Sequence, residues 1–150
     1  MTRKIMRDVH IKAPVEKVFD LLYDPNNLPE LWPNMLEVKD VKESTLGGYD
    51  YSWVYKMSDM QLEVESQVIE FLTNRRLVMK SEKEIESMIV WDFYRDGDEE
   101  MHLIIEVDYE LPASLLNDHA ENIIVDENEY EIEMMLENIK TTVESELVHV

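Results

Sequence analysis

Four rows of alternating apolar residues precede a single apolar helical stripe, and this mismatch constrains the fold more than any other feature. Tyr49, Tyr51, Trp53, Tyr55 and Met57 share one face, while Asp50, Ser52 and Lys56 point the other way. Leu62, Val64, Ser66 and Val68 alternate with Glu63, Glu65 and Gln67. Ile89, Trp91 and Phe93 form a third row, and Met101, Leu103, Ile105, Val107 and Tyr109 a fourth, opposite His102, Glu106, Asp108 and Glu110. Half-buried antiparallel strands produce this period of two. Gly47-Gly48 and Asp96-Gly97 mark turns between rows, and Asn74-Arg75 gives a weaker turn signal.

The C-terminal segment changes period. Val125, Ile132, Leu136, Ile139 and Val143 recur at helical spacing, flanked by Met135 and Leu147. A long helix over 117–147 is expected, with Asn117 or Asp118 as its cap. Its many carboxylates fall mostly on the remaining surface, where they read as a solvated face. Near the N-terminus, Ile5 to Ile11 reads as a strand with Val9 and Ile11 inward. Ala13-Pro14 then opens a short helix whose apolar side is Val15, Val18, Phe19 and Leu22. The proline-rich stretch from Asp24 to Met35 has room for one more helical turn before a strand around Leu36 to Val41.

The expected order is therefore strand, two short helices, six strands and one long helix. Seven strands at about 4.8 Å spacing make a sheet roughly 30 Å wide. One helix is only about 10–12 Å across. It cannot cover the apolar face unless the sheet curls around it. An α+β fold follows, a curved seven-stranded antiparallel sheet gripping the last helix. Whether large side chains fill the interior or leave a cavity stays open.

The 150 residues are expected to form one domain, 1–150, since no linker, repeat or low-complexity tract divides them. The charged, alternating start does not resemble a secretory signal. No apolar run approaches the roughly 18 residues of a membrane span. With no cysteine, disulfide and thiolate chemistry are excluded. A cytoplasmic protein without integral membrane association is the expectation. Lys plus Arg is 14 against 34 Asp plus Glu, a formal net charge of −20. That surface repels nucleic-acid phosphates and anionic lipid headgroups. It reads first as a solubility device, and as its alternative a surface for a basic protein partner.

Motifs for other chemistry are missing. Three glycines, at 47, 48 and 97, make neither a dinucleotide fingerprint nor a P-loop. His10, His102, His119 and His149 lack metal-site spacing. Asp126-x-Asn128 begins like a calcium loop, but Tyr130 and Glu131 stand where a ligand and a glycine are required. The acidic turn Asp96 to Glu100 reads as a solvated hairpin tip. No cofactor and no metal are expected.

Three segments carry a resemblance. They are Ala13-Pro14-x-Glu16-x-Val18-Phe19, the turn Leu28-Pro29-x-x-Trp32-Pro33, and Trp91-x-Phe93 leading through Asp96-Gly97 to Tyr109-x-Leu111-Pro112. Together with the element order, they make the chain resemble the START-like (SRPBCC) superfamily of helix-grip proteins, which includes polyketide cyclases and coenzyme-Q-binding proteins. The resemblance spans nearly the whole chain. It implies a pocket for a lipid, isoprenoid, quinone, polyketide-like or aromatic molecule. Aromatase/cyclase relatives carry a functional arginine about where Gln67 or Val68 stands here. The nearest arginines, Arg75 and Arg76, fall at an expected turn.

From inward position and resemblance together, the candidate ligand-binding residues are Trp32, Tyr51, Trp53, Tyr55, Val64, Ser66, Met79, Ser81, Trp91, Phe93, Ile105, Met135 and Ile139. Each has a plain alternative as core, and Trp32 as a packing anchor. No catalytic residue is assigned. Three functions stay open: a carrier of an apolar small molecule, which leads; a polyketide cyclase-like enzyme; and a protein-interaction domain using the acidic surface. Ligand identity and oligomeric state are not legible.

Overall fold

A computed structural model describes residues 2–116 and 121–148. Its strands are β1 (Thr2–Ile11), β2 (Met35–Glu43), β3 (Tyr49–Met57), β4 (Met60–Leu72), β5 (Arg76–Lys83), β6 (Ser87–Arg95) and β7 (Met101–Glu110). Two short helices, α1 (Val15–Tyr23) and α2 (Leu28–Leu31), follow β1, with a 3-10 turn at Pro25–Asn27 between them. A one-turn α3 (Ala113–Leu116) precedes α4 (Glu121–Val148). All pairings are antiparallel, in the order β1-β7-β6-β5-β4-β3-β2. This is the expected helix-grip arrangement.

The alternating rows become the concave face. Trp53, Tyr55 and Met57, then Leu62, Val64, Ser66 and Val68, then all of the β6 and β7 rows are buried. Turn chemistry sets the register. Gly47 and Gly48 have φ of +112° and +69°, and a Cβ on Gly47 would lie 2.5 Å from the Phe71 ring. Only glycine serves a left-handed backbone packed that closely. The β3–β4 hairpin turns on Ser58, with φ of 58°, and the β4–β5 turn on Asn74, with φ of 61°.

Several details depart from the sequence expectations. Pro14 caps α1 with extended backbone rather than lying inside it. β1 begins at Thr2, and α3 was not foreseen. α4 is described from Glu121, so the proposed caps at 117 and 118 lie outside the described residues, as does the Leu147 side chain. Ile124 is buried where Val125 was expected, and Val125 is only partly covered. Val125 lies seven residues before Ile132 and Ile124 eight, and both spacings fall on an apolar helix face wider than one position.

α4 packs most closely along β1. Arg3 pairs with Glu121, Arg7 with Glu129 and Glu133, and the Lys140 ammonium donates to the His10 carbonyl. On its other side the helix meets the α2–β2 turn, where the Asn138 amide donates to the Leu31 carbonyl at 2.9 Å. α4 therefore spans from edge strand β1 to the turn that leads into the opposite edge strand, β2.

Candidate functional site

Beneath α4 the packing leaves a cavity of about 40 Å³. Trp32 from the α2–β2 turn, Trp53 and Tyr55 from β3, and Ile5, Ile89 and Ile132 give it apolar walls. Tyr109 of β7, Asn128 of α4 and Ser87 also border it, although the surface they leave open to the void is almost wholly apolar. This volume suits one or two waters. Small-molecule sites run to several hundred Å³. In this conformation large side chains occupy most of the interior and leave a residual void.

The aromatic wall is one contact group. Ring centroids are 5.6 Å apart for Trp32–Trp53, 5.5 Å for Trp53–Tyr55 and 6.1 Å for Trp32–Tyr55. Behind it stands Glu131, only 5% exposed. Its carboxylate accepts from the Trp32 indole N–H at 2.6 Å, from the Tyr55 hydroxyl at 2.5 and 2.6 Å, and from the Asn34 amide at 3.3 Å. Burial pushes the Glu131 carboxyl up to about 7, against the downward pull of these three donors. Burial, chiefly, also holds the Tyr55 hydroxyl well above the ordinary tyrosine range, and the adjacent carboxylate adds to it. Beside this group the Asn128 amide donates to the Tyr109 hydroxyl at 2.8 Å.

A second polar group lies deeper in the sheet. The Trp53 indole N–H donates to Ser66 Oγ at 2.8 Å, and Ser66 and Ser81 share a hydroxyl hydrogen bond at 2.7 Å. No buried side-chain nitrogen or oxygen among the described residues lacks a partner.

Of the candidate residues, Trp32, Trp53 and Tyr55 line the cavity. Ser66 sits one hydrogen bond behind Trp53, and Ser81 one further hydrogen bond behind Ser66. Val64, Met79, Trp91, Phe93, Ile105, Met135 and Ile139 are buried in the surrounding core and do not border the void. Tyr51 is half-buried, and desolvation raises its hydroxyl pKa. Trp32 anchors its turn to α4 through Glu131 and forms part of the cavity wall.

Glu131, Asn128 and Tyr109 were not among the candidates. Position 131 lies on the helix face of Asn128 and Met135, which was the available signal, but a carboxylate in an acidic helix reads as outward. Asn128, begun as a calcium-loop match, is a buried helical residue. Folding also brings His10 of β1 to the β6–β7 hairpin, with Nε2 3.9 Å from Asp96 and 3.7 Å from Glu100. These three can face one cation at the exposed end of the sheet, a proximity that spacing along the chain did not suggest.

Residues 2–144 match the profile of the family described as polyketide cyclase / dehydrase and lipid transport. The chain belongs to this family. No curated protein matches the sequence. Among solved structures, this polyketide cyclase/dehydrase family member is similar in fold to a START superfamily protein from Mycobacterium smegmatis, with a TM-score of 0.77 and 12% identity over 95% of this chain and 97% of that one. It is also similar to the Zhui aromatase/cyclase from Streptomyces sp. R1128, with a TM-score of 0.78 and 14% identity over 98% and 96%. A conserved protein from Geobacillus kaustophilus gives a TM-score of 0.76 and 14% identity over 95% and 96%. At these identities the likeness shows the fold alone. Family membership supports a ligand-binding or cyclase-like role. In this family member Gln67 is exposed and Val68 buried, while Arg75 lies exposed in the β4–β5 turn and Arg76 pairs with Asp92 at 2.8 Å. Among the described residues, no helix is long and apolar enough to cross a membrane.

Proposed function

We propose that the protein binds a small, mostly apolar molecule carrying a hydroxyl or carbonyl group, in an expanded form of the cavity beneath α4. The observation that carries this reading is the pairing of an apolar void with a buried ionisable carboxyl immediately behind its wall. A core selected for stability alone gains nothing from such a carboxyl, because taking it out of water costs several kcal/mol, roughly, before any hydrogen bond offsets it. A binding site gains orientation from a few polar groups in an apolar wall. Tyr55, Tyr109 and Asn128 are such groups here. The void must grow to admit a ligand, and the part placed to move is the Trp32 turn, which α4 latches through Glu131, bonded to the Trp32 indole and the Asn34 amide, and through Asn138, bonded to the Leu31 carbonyl.

An uncharged probe, N-phenyl-1-naphthylamine, avoids repulsion by the acidic chain. Micromolar binding, displaced by neutral isoprenoids, quinones or aromatic polyketides, is the expected result. Ile85, between β5 and β6, also lines the cavity, and Ile85→Trp, which adds bulk there, should abolish binding. Native mass spectrometry with organic extraction of freshly purified protein would identify a carried molecule. No binding across that panel, or undiminished binding by Ile85→Trp, would sink the proposal.

One observation favours a cyclase-like enzyme as the second reading: a carboxyl titrating near neutrality is suited to general acid–base work. Turnover of an aromatic polyketide that is lost in Glu131→Gln, with probe affinity retained, would select it.

A further inference from the structure

The outer face of α4 carries a feature that the interior does not explain. Ile123, Tyr130 and Met134 are 55%, 65% and 37% exposed. Their spacings of seven and four put all three on one line along the helix, about 17 Å long at about 1.5 Å per residue. Single exposed apolar residues are ordinary on protein surfaces, whereas a contiguous row rimmed by charge marks an interaction surface. The rim is acidic and unevenly paired. Towards β1, Glu121, Glu129 and Glu133 meet Arg3 and Arg7. Asp126, Glu127 and Glu137, all exposed, flank the row and make no ion pair among the described residues.

We propose that this face docks a basic amphipathic helix of a partner protein, its apolar side on Ile123, Tyr130 and Met134 and its lysines or arginines on Asp126, Glu127 and Glu137. The geometry is that of helix-on-helix recognition, in which anchors recur every three, four and seven residues. Charge selects the occupant. A second copy would bring the same carboxylates together at a net charge of −20 per chain. Anionic membranes and nucleic acids are repelled for the same reason. A cationic helix is attracted from a distance and oriented as it arrives. The proposal does not depend on what the interior binds.

The test uses the full chain and an 18-residue peptide of leucine and lysine, leucines at helical spacing, labelled for fluorescence anisotropy. Binding that weakens with salt is expected. Tyr130→Ser and Ile123→Ser should each weaken it about fivefold or more, as buried anchors do. The triple change Asp126→Asn, Glu127→Gln and Glu137→Gln should weaken binding and flatten its salt dependence. Ile69→Ser and Leu72→Ser, exposed apolar residues of β4, should change nothing. A scrambled peptide of the same composition that binds equally well would reduce the effect to net charge and overturn the proposal. So would wild-type affinity in Tyr130→Ser, dimerisation through this face in size-exclusion measurements, or Tyr130-dependent sedimentation with phosphatidylcholine vesicles.

Discussion

Two buried polar groups meet at Trp53, and they are built on opposite principles. On one side, the indole N–H and the Ser66 and Ser81 hydroxyls form a neutral chain that fills its space. On the other, the indole ring packs on Trp32 and Tyr55, which hold an ionisable Glu131 beside a void. Neutral hydroxyls that satisfy one another add little cost and fix the positions of strands β3, β4 and β5. A carboxyl in the same core carries a desolvation penalty that its donors do not erase, as its raised pKa records. The first group is what a core tolerates, and the second is what a site needs.

The largest expected effect breaks the comparison by leaving both groups alone. Phe93, packed on Phe19 at 5.0 Å and remote from the void, should lose about 3–5 kcal/mol as Phe93→Ala in denaturant melts, with probe affinity per folded molecule unchanged. Affinity falling in parallel would mean that the binding space extends into the filled region.

Next in size is the titration of Glu131. Its folded pKa of about 7 lies above the 4.5 of an ordinary glutamate, so the native state holds this proton more tightly than the unfolded chain. The protonated group favours the fold below about pH 4.5, and that advantage disappears as pH rises to about 7. The span corresponds to roughly 3 kcal/mol. Glu131→Gln should therefore be more stable than wild type at pH 8 by on the order of 1–3 kcal/mol. The difference should vanish towards pH 4.5, as read by melts at a series of pH values. A constant offset across that range would place the titration elsewhere.

Ser66→Ala sharpens the contrast. It strips the Trp53 N–H and the Ser81 hydroxyl of their partner, for about 1–3 kcal/mol, with no pH dependence between 5 and 8. The smallest effect is expected from Tyr109→Phe, about 1 kcal/mol, because only the Asn128 amide loses its acceptor. If Tyr109 helps to orient a ligand, probe affinity should change more than stability does.

The strands were legible because each apolar row reports a face directly. Trp53, Tyr55, Val64, Trp91 and Ile105 needed only their parity to be placed inward. The helix was less so. Ile124 and Val125 lie about 100° apart, on either side of the line through Ile132, and only packing decides which of the two the sheet covers. Glu131 was hidden by its own company. Among so many exposed carboxylates, nothing local distinguishes the one that faces Trp32 and Tyr55, and those two partners lie 99 and 76 residues away in the chain. The void was illegible for a related reason, since alternation reports which side faces in but not how completely the facing side chains meet. The acidic row beside Ile123 and Tyr130 was read correctly as solvated, while its apolar centre passed unnoticed beneath the charge.

The pairing of β1 with β7, from Thr2↔Glu110 to Ile11↔Met101, has a consequence for how the molecule is made. Strands β2 to β7 are sequential neighbours and can zip up as hairpins while the chain leaves the ribosome. β1 emerges first but finds its partner only after β7 appears, and α4, which covers it, comes later still. At about 5–20 residues per second, this leaves the first strand unpaired for several seconds of synthesis. Its two adjacent charged pairs, Arg3-Lys4 and Arg7-Asp8, suit a strand that must wait without joining a wrong edge. Nascent chains arrested before Met101 should accordingly leave Thr2 to Ile11 open to protease, and chains extended past Glu110 should begin to protect it.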